Sequence, residues 1–253
     1  MLINKQLRGA GSVAKYCYQR SIRNTPWKLR WAPVCSSTEI NLSKWLDSNP
    51  VLGSQPRAFI AGRQKHGKGQ RGRLWKSPQG GVWLSAALPI YGSKNSVGLF
   101  GLAVALSVAE RLEAKQIPVK IKWPNDLLVF DQKLAGFLPR LIYRGESLKF
   151  ARVGIGMNIR NKVPPGGISL AEILGTKNCY PAEWTAEVLL ALEKVINLLE
   201  NNESIYLEAE KRLWDNKVID PKSGELLDIE GLDIRGALKL RKGNKTIIWN
   251  RWE

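Results

Sequence analysis

Histidine is almost missing from this chain, with one, His66, in 253 residues. A histidine-rich metal site is therefore excluded, and a Ser-His-Asp arrangement would have to run through that single side chain. Cysteine is scarce too. Cys17, Cys35 and Cys179 are odd in number, far apart and without C-x-x-C spacing. That argues against a disulfide framework or a structural zinc site and fits a reducing compartment. Long apolar runs are also lacking. The most apolar stretch, Val97 to Ala109, runs into Glu110 and Arg111 and is shorter than the ~20 residues a helix needs to cross a bilayer. No membrane association is expected. Acidic residues are absent from the first 38 positions, where Lys5, Arg8, Lys15, Arg20, Arg23, Lys28 and Arg30 lie. Such a segment suits a basic arm on a cytoplasmic protein, or an organelle transit peptide over residues 1–30 that would deliver the chain to a stroma. No long apolar block follows the first charges, so a secretory signal is not expected.

What is present describes a globular chain, 44% hydrophobic and 24% charged. The length allows one large domain, or one domain with a small appendage. Lys and Arg number 39 against 22 Asp and Glu, a formal charge of +17. That excess favours an anionic partner: nucleic acid, a phosphate-bearing ligand, an acidic protein or a membrane surface. Charge alone does not choose among them.

Residues 57–64 and 81–89 read as strands flanking a loop rich in Gly, Lys and Arg, with Val82, Leu84, Ala86 and Leu88 on one face. Residues 97–115 read as a buried helix. Val119, Ile121 and Trp123 alternate with Lys120 and Lys122 in a half-buried strand that stops at Pro124. Further strands are predicted near 127–130, 134–143 and 150–159. In a helix over 183–200, Trp184, Val188, Leu192, Val195, Ile196 and Leu199 share a stripe that Asn201-Asn202 closes. A second helix is predicted over 203–214. Short strands follow at 217–219, 225–230, 235–241 and 245–249, with Gly243-Asn244 as a hairpin signal. Strands and helices do not alternate regularly, so the expected fold class is α+β around a largely antiparallel sheet. The predicted division is a basic arm (1–33), a catalytic domain (34–214) and a small β domain (215–253). The last is too small to bury much alone and should dock on the main domain.

Four segments carry groups that chemistry needs. In Gly67-Lys68-Gly69-Gln70-Arg71-Gly72-Arg73, followed by Trp75, the glycines let backbone approach a ligand and turn N–H groups toward an anion. The interleaved cations add charge-assisted contacts to phosphate or carboxylate. An exposed basic hairpin or a nucleic-acid contact has the same composition. The loop is neither a Walker A motif nor a Rossmann fingerprint. Lys122-Trp123-Pro124-Asn125-Asp126 places Asn125 and Asp126 at a strand end, where side chains can face a pocket. Lys133-Leu134-Ala135-Gly136 follows at a spacing that suits a hairpin joining Lys133 to Asp126. Read for chemistry, Lys133 stabilises negative charge while Asp126 orients it or helps hold Mg²⁺. Read for structure alone, the segment is an Asx cap and a surface ion pair. Gly154-Ile155-Gly156-Met157-Asn158 marks a bulge or the close passage of a ligand. Ser36-Ser37-Thr38 offers hydroxyls to a polar head, or caps a helix. His66 reads as an exposed loop residue, not a catalytic base.

Taken together and in order, these segments resemble the biotin protein ligases. The matching pieces are S-S-T at 36–38, Gln64 ahead of G-K-G-Q-R-G-R-L-W at 67–75, and S-P-Q-G-G at 77–81. They continue with K-W-P-N-D at 122–126, K-L-A-G at 133–136 and G-I-G-M-N at 154–158. The tail D-I-R-G-A-L-K-L is similar to that family's small C-terminal barrel, and the resemblance covers about residues 34–250. It implies a class II synthetase-like catalytic domain with a mostly antiparallel mixed sheet, then an SH3-like barrel. The implied reaction is ATP-dependent and AMP-forming: biotin becomes biotinyl-5′-AMP, and a lysine of a biotin carboxyl carrier domain of acetyl-CoA carboxylase takes the biotinyl group. ATP and Mg²⁺ would serve it, with no metal ligand assigned. By the same resemblance Ser37, Thr38, Gln64, Gly67 and Lys68 hold the biotin head, while Gly136, Gly154 and Gly156 leave room for its ring and tail. Gln70, Arg71, Arg73, Trp75, Asn125, Asp126, Lys133 and Asn158 fall on the ATP side, and Lys133, Asp126 and Arg71 are the catalytic set.

The sequence departs from the pattern in places. Lys68 and Gln70 stand where the family more often has arginine, Glu39 where many members have Asn, and Arg140 where an acid is common. Members that repress transcription carry a winged-helix domain ahead of the catalytic part, for which residues 1–33 are too few. No specific DNA binding is therefore expected, and monomer and homodimer both stay open. The rival readings are a lipoate or other acyl-carrier ligase of the same fold, and a non-enzymatic nucleic-acid-binding protein resting on charge alone.

Overall fold

The computed structural model describes residues 9–19, 27–48, 53, 55–90, 97–199 and 204–250. The chain begins with α1 (Ala10–Gln19), β1 (Lys28–Ala32), α2 (Thr38–Ser48), β2 (Arg57–Ala61), β3 (Val82–Leu88) and α3 (Val97–Glu113). Then come β4 (Lys120–Lys122), β5 (Asp126–Val129), β6 (Gln132–Arg144), β7 (Ser147–Met157), α4 (Leu170–Leu174), α5 (Pro181–Leu198) and α6 (Ile205–Glu210). Strands β8 (Lys217–Ile219), β9 (Leu226–Leu232), β10 (Leu238–Lys242) and β11 (Lys245–Trp249) complete it. Seven strands form one sheet in the order β1-β2-β3-β7-β6-β5-β4, antiparallel except for the β1–β2 pair. The last four form a separate antiparallel sheet, β11-β10-β9-β8. The α+β, mostly antiparallel expectation holds.

The two-residue period of the strands decides where the site lies. On one face, Val82, Leu84, Ala86 and Leu88 of β3 join Ala151, Val153, Ile155 and Met157 of β7 in the main core beneath α3 and α5. From Leu99 to Leu106 helix α3 is apolar all round because it is enclosed; Phe100 and Leu102 are fully buried, each burial contributing roughly 1.5–3 kcal/mol. On the other face, α2 covers Phe59, Ala61 and Ala87 with Leu42, Trp45 and Leu46. Beyond α2 that face carries Ser85, Gly136, Gly154 and Gly156, adjacent in the sheet register. Side chains this small leave a hollow instead of a second core.

Several expectations are corrected. Residues 1–33 were expected to be an arm, yet Ala10–Gln19 is a helix packed on α5 and Lys28–Ala32 is an edge strand parallel to β2. The signal was there: Leu29 and Trp31 alternate with Lys28 and Arg30, and the Arg30 guanidinium lies 4.3 Å from the Trp45 ring. The other basic residues noted before position 27, apart from Lys15, fall outside the described residues, as does Asn201-Asn202. The strand predicted over 57–64 stops at Ala61 because Gly62 passes tight against the Pro33 carbonyl. The strand predicted over 235–241 starts at Leu238; before it Asp233 Oδ1 accepts the N–H groups of Arg235 and Ala237 and makes a turn. Helix 203–214 is α6 only as far as Glu210. Helix α2 was foreseen only as a cap. Among the described residues no helix is long and apolar enough to cross a membrane.

The C-terminal sheet docks as its size demands. Leu227, Leu232, Leu238 and Leu240 enter the main core. The Trp123 indole N–H donates to the Gly236 carbonyl at 2.8 Å, and Ile121 exchanges backbone hydrogen bonds with Arg212 and Trp214, just ahead of the small sheet. Contact with the small sheet therefore falls on the segment leading into Asn125 and Asp126.

Candidate functional site

Strands β4 and β5 pair from Lys120↔Leu128 to Lys122↔Asp126, so Trp123-Pro124-Asn125 is the turn between them. Asp126 then faces Gly136 across β5–β6, and the register slips between Leu127 and Leu128. Unbroken alternation would put Lys133 and Gly136 on opposite faces of β6. The bulge re-aims Lys133, and its ammonium meets Asp126 Oδ2 at 2.5 Å. Lys133 Nζ also lies 5.0 Å from the centroid of a Trp75 ring, a cation–π distance. A Cβ on Gly136 would stand 3.1–3.3 Å from Trp75, Asp126 and Lys133 together, and one on Gly156 would run into the Trp75 indole. These two glycines are the floor on which Trp75 rests. Among the described residues the Trp75 Nε1 has no hydrogen-bond partner although it is buried.

Asn125 and Asn158 are committed to backbone. The Asn125 side-chain amide donates to the Phe137 carbonyl, and Phe137 N–H donates back to Asn125 O. Buried Asn158 donates to the Lys133 carbonyl at 3.3 Å and accepts from Asn161 at 3.0 Å. Both line the cavity, and both hold the strand ends that carry Asp126 and Lys133. Sequence reasoning missed Asn161.

At the other end Ser37 immediately precedes α2, its carbonyl accepting the Asn41 N–H. Thr38 donates to Gln64 Oε1 from its backbone at 2.8 Å and from its hydroxyl at 3.1 Å, and shares a 2.8 Å hydrogen bond with Ser85. Gln64 Nε2 donates to Ser77 Oγ at 2.9 Å, and Ser77 donates to the Trp75 carbonyl at 3.1 Å. One chain of hydrogen bonds thus runs from Ser85 to Trp75. Ser77 and Ser85 were not among the candidate site residues, although a lone hydroxyl inside the apolar run VWLSAAL was the signal for Ser85. Gly67 serves the loop itself: a Cβ there would stand 2.6 Å from the Trp75 carbonyl and 2.7 Å from Ser77 Oγ, where the chain returns. The loop is a hairpin, with Trp75 N–H donating to Gly67 O and Gly69 N–H to Arg73 O. At its tip Arg71 has φ +55 and Gly72 φ +74. Lys68, Arg71 and Arg73 stand exposed on the rim, and Gln70 is half-buried there. His66 is exposed, as expected.

Ser37, Thr38, Gln64, Ser85, Trp75, Asn125, Asp126, Lys133, Gly136, Gly156, Asn158 and the hairpin residues Lys68, Gln70, Arg71 and Arg73 line one cavity of about 670 Å³, whereas Gly67, Gly72, Ser77, Asn161 and His66 do not; its size suits a small molecule. Its lining carries Lys68, Arg71, Arg73, Lys76, Lys122 and Lys133 against two carboxylates, Glu39 and Asp126. Burial pushes the Asp126 carboxyl above the ordinary aspartate range, outweighing the opposite pull of Lys133, Lys122 and Arg73. The cavity thus has a hydroxyl-and-amide end, a small-residue floor and a cationic end.

A family model described as the biotin/lipoate A/B protein ligase family matches residues 31–158. The chain belongs to that family. Within it, "Biotin--protein ligase 1, chloroplastic" of Arabidopsis thaliana is 34% identical over 83% of this chain and 61% of its own length. "Bifunctional ligase/repressor BirA" of Escherichia coli is 33% identical over 76% of this chain and 64% of its own. This member spans less than two thirds of either relative. Among solved structures, the Aquifex aeolicus biotin protein ligase in complex with biotin and ATP superposes with a TM-score of 0.73 at 24% identity. It covers 89% of this chain, 97% of the other, and shares the fold.

Proposed function

We propose that this ligase-family member activates biotin with ATP to biotinyl-5′-AMP and then transfers the biotinyl group to a lysine of a carrier protein. The observation that carries the reading is the Lys133–Asp126 pair, set at the cationic end of a cavity whose far end is a hydroxyl and amide network. In the first step a biotin carboxylate oxygen bonds to the α-phosphorus, and the bond from α-phosphorus to pyrophosphate breaks. Two anions must meet for this. The ammonium of Lys133 and the rim cations Arg71 and Arg73 offset their repulsion in a partly dry site. In the second step a neutral carrier amine bonds to the acyl carbon, AMP leaves with the bonding pair, and the amine loses a proton. That step is mostly positioning, and no histidine base is needed.

Relatives named as biotin ligases support the choice of acid, and so does the polar end built from Thr38, Gln64 and Ser85. A cyclic urea can use the hydrogen-bonding capacity these groups have left over, which the apolar ring of lipoate cannot. The carrier we assign is a biotin carboxyl carrier domain, in line with a Paracoccus denitrificans relative named biotin--[acetyl-CoA-carboxylase] ligase, 30% identical over 46% of this chain. No three acidic, His or Cys side chains converge as a metal site among the described residues. One carboxylate, Asp126, lies beside Lys133, which fits a Mg²⁺ that arrives on the nucleotide phosphates and offsets their charge. We place the domain boundary after residue 214, where the second sheet begins.

ATP–pyrophosphate exchange with biotin, lipoate or no acid tests the reading. Exchange that needs biotin supports it; exchange with lipoate alone would move the chain to the other branch of its family, and none with any acid would remove the activity. A related expectation concerns Asp126. Its raised pKa means that the acid limb of the exchange rate includes a group titrating above the ordinary aspartate range, and Asp126→Asn should remove that component. A limb unchanged in the variant belongs to the substrates. The same shift costs stability, because between the ordinary and the raised value the unfolded chain gives up the proton first. Gln70 at the loop tip carries no charge where the family more often has arginine. Gln70→Arg is expected to slow release of biotinyl-AMP roughly tenfold, the effect of one charge-assisted contact, read by trapping released intermediate; unchanged release removes Gln70 from retention.

A further inference from the structure

Glu39 is a residue that the resemblance leaves without an account, and the fold gives it a partner. From the first turn of α2 its carboxylate reaches Arg152 on β7, whose Nη2 donates to Glu39 Oε2 at 2.9 Å, to the Glu39 carbonyl at 3.1 Å and to Ser43 Oγ at 2.9 Å. The side chains are 12% exposed for Arg152 and 20% for Glu39. We propose that Glu39 and Arg152 are a positioning pair that sets the head-group end of the cavity by holding the start of α2 against β7. The inference rests on the adenylation reading given above.

The form of the pair argues for position over stability. A guanidinium and a carboxylate bind best side-on, through two parallel hydrogen bonds. Here one nitrogen serves three acceptors, and among the described residues Arg152 Nε and Glu39 Oε1 are buried without a partner. Leaving such atoms unpaired is costly, and half-buried ion pairs return little net stability. What the arrangement does instead is tie two backbone segments together. Thr38 immediately precedes Glu39, and its three hydrogen bonds to Gln64 and Ser85 hold only while the helix start keeps its place. Gly154 lies two residues along β7 from Arg152, on the same face. A Cβ there would stand 3.8 Å from both Glu39 Cγ and Ser85 Oγ. Wall and floor of the head-group end are thus fixed to one another through Arg152. The pair is neutral as a whole, so the wall stays polar without adding an anion.

The test uses the full chain in biotin-dependent ATP–pyrophosphate exchange, with thermal melting in parallel. Arg152→Met removes all three hydrogen bonds and should raise KM for biotin roughly tenfold, leaving kcat at saturating biotin and KM for ATP near the unaltered values. Arg152→Lys should restore part of the loss, and Glu39→Gln, which keeps an acceptor, should cost less than Arg152→Met. If Arg152→Met does not fold, Ser43→Ala removes one bond without touching charge and should raise biotin KM by a few-fold. Biotin KM unchanged in the folded variants overturns the inference alone. So does a uniform fall in activity that tracks the folded fraction, which is what a merely structural pair would give. An unaltered chain without biotin-dependent exchange overturns the adenylation reading and this inference with it.

Discussion

Lys133→Ala is expected to lower biotin-dependent ATP–pyrophosphate exchange by about 10²–10³-fold, the range found when one preorganised charge-stabilising donor is removed from a site. The bulge between Leu127 and Leu128 exists at the point where β6 must turn Lys133 toward Asp126. Asn158 and Gly166 hold the Lys133 backbone in that place. Of the cavity cations, Lys133 is the one paired directly with Asp126, and it lies against Trp75 on the floor of Gly136 and Gly156. The rim cations on the hairpin can attract phosphate, but none is held by a rigid strand in this way. The loss should appear in kcat more than in KM for ATP, since attraction survives while stabilisation of the transition state does not. Stability should fall as well, because the mostly buried Asp126 carboxyl is left without its partner. Asp126 loses its nearest cation, so its pKa should climb further. Exchange within threefold of the unaltered chain would remove Lys133 from the chemistry. Lys133→Arg is expected to recover only part of the rate, since a planar fork does not reproduce the point charge of an ammonium.

Much of this site was legible in the sequence, for a physical reason. Asp126 and Lys133 lie seven positions apart in one hairpin, so local pairing brings them together, and glycines in strands announce where bulk is forbidden. The main helices were legible because α3 is apolar from Val97 to Leu106 and α5 carries a single stripe. What the sequence hid is what only the third dimension supplies. Ser85 lies far from Thr38 in the chain, and nothing local pairs them; the β3–β7 register and the placing of α2 do. Arg152 reads as one more cation in a basic chain until α2 is laid across β7. The edge strand at 28–32 was lost in the charge of the N-terminal segment, where Lys28 and Arg30 masked the alternation of Leu29 and Trp31. Asn125 and Asn158 show the opposite limit. Their motifs drew attention to ligand contacts, while the geometry commits their amide nitrogens to the backbone that carries Asp126 and Lys133.

The second large effect is expected just behind the cavity lining, at Gly236. Gly236→Ala should destabilise the fold on the order of 2–4 kcal/mol, through two costs that add. The residue has φ +79, where an L side chain costs ~1 kcal/mol or more. Its new Cβ would stand 2.8 Å from Gly98 C and Leu99 N, backbone atoms of α3 that cannot rotate aside. For a chain of this size that corresponds to a fall in Tm of roughly 5–15 °C. The turn can escape the clash only by moving off α3, and then the 2.8 Å hydrogen bond from Trp123 to the Gly236 carbonyl is lost. Trp123 is fully buried and immediately precedes Pro124-Asn125-Asp126, so the disturbance should reach the cationic end, proposed to hold ATP, before the hydroxyl-and-amide end proposed for biotin. Trp123→Phe separates the two components. It keeps an aromatic ring and leaves the turn's backbone alone, but removes the indole N–H and part of the buried ring volume, which should cost ~2–4 kcal/mol from the unpaired carbonyl and the space left behind. If the small sheet positions the Asp126 strand end, both variants should raise KM for ATP while biotin affinity stays within about twofold. Lower Tm with ATP and biotin parameters unchanged in the folded fraction would make the contact a matter of stability alone. Equal losses toward both ligands would mean that the whole cavity, not its ATP end, depends on the docking of the second sheet.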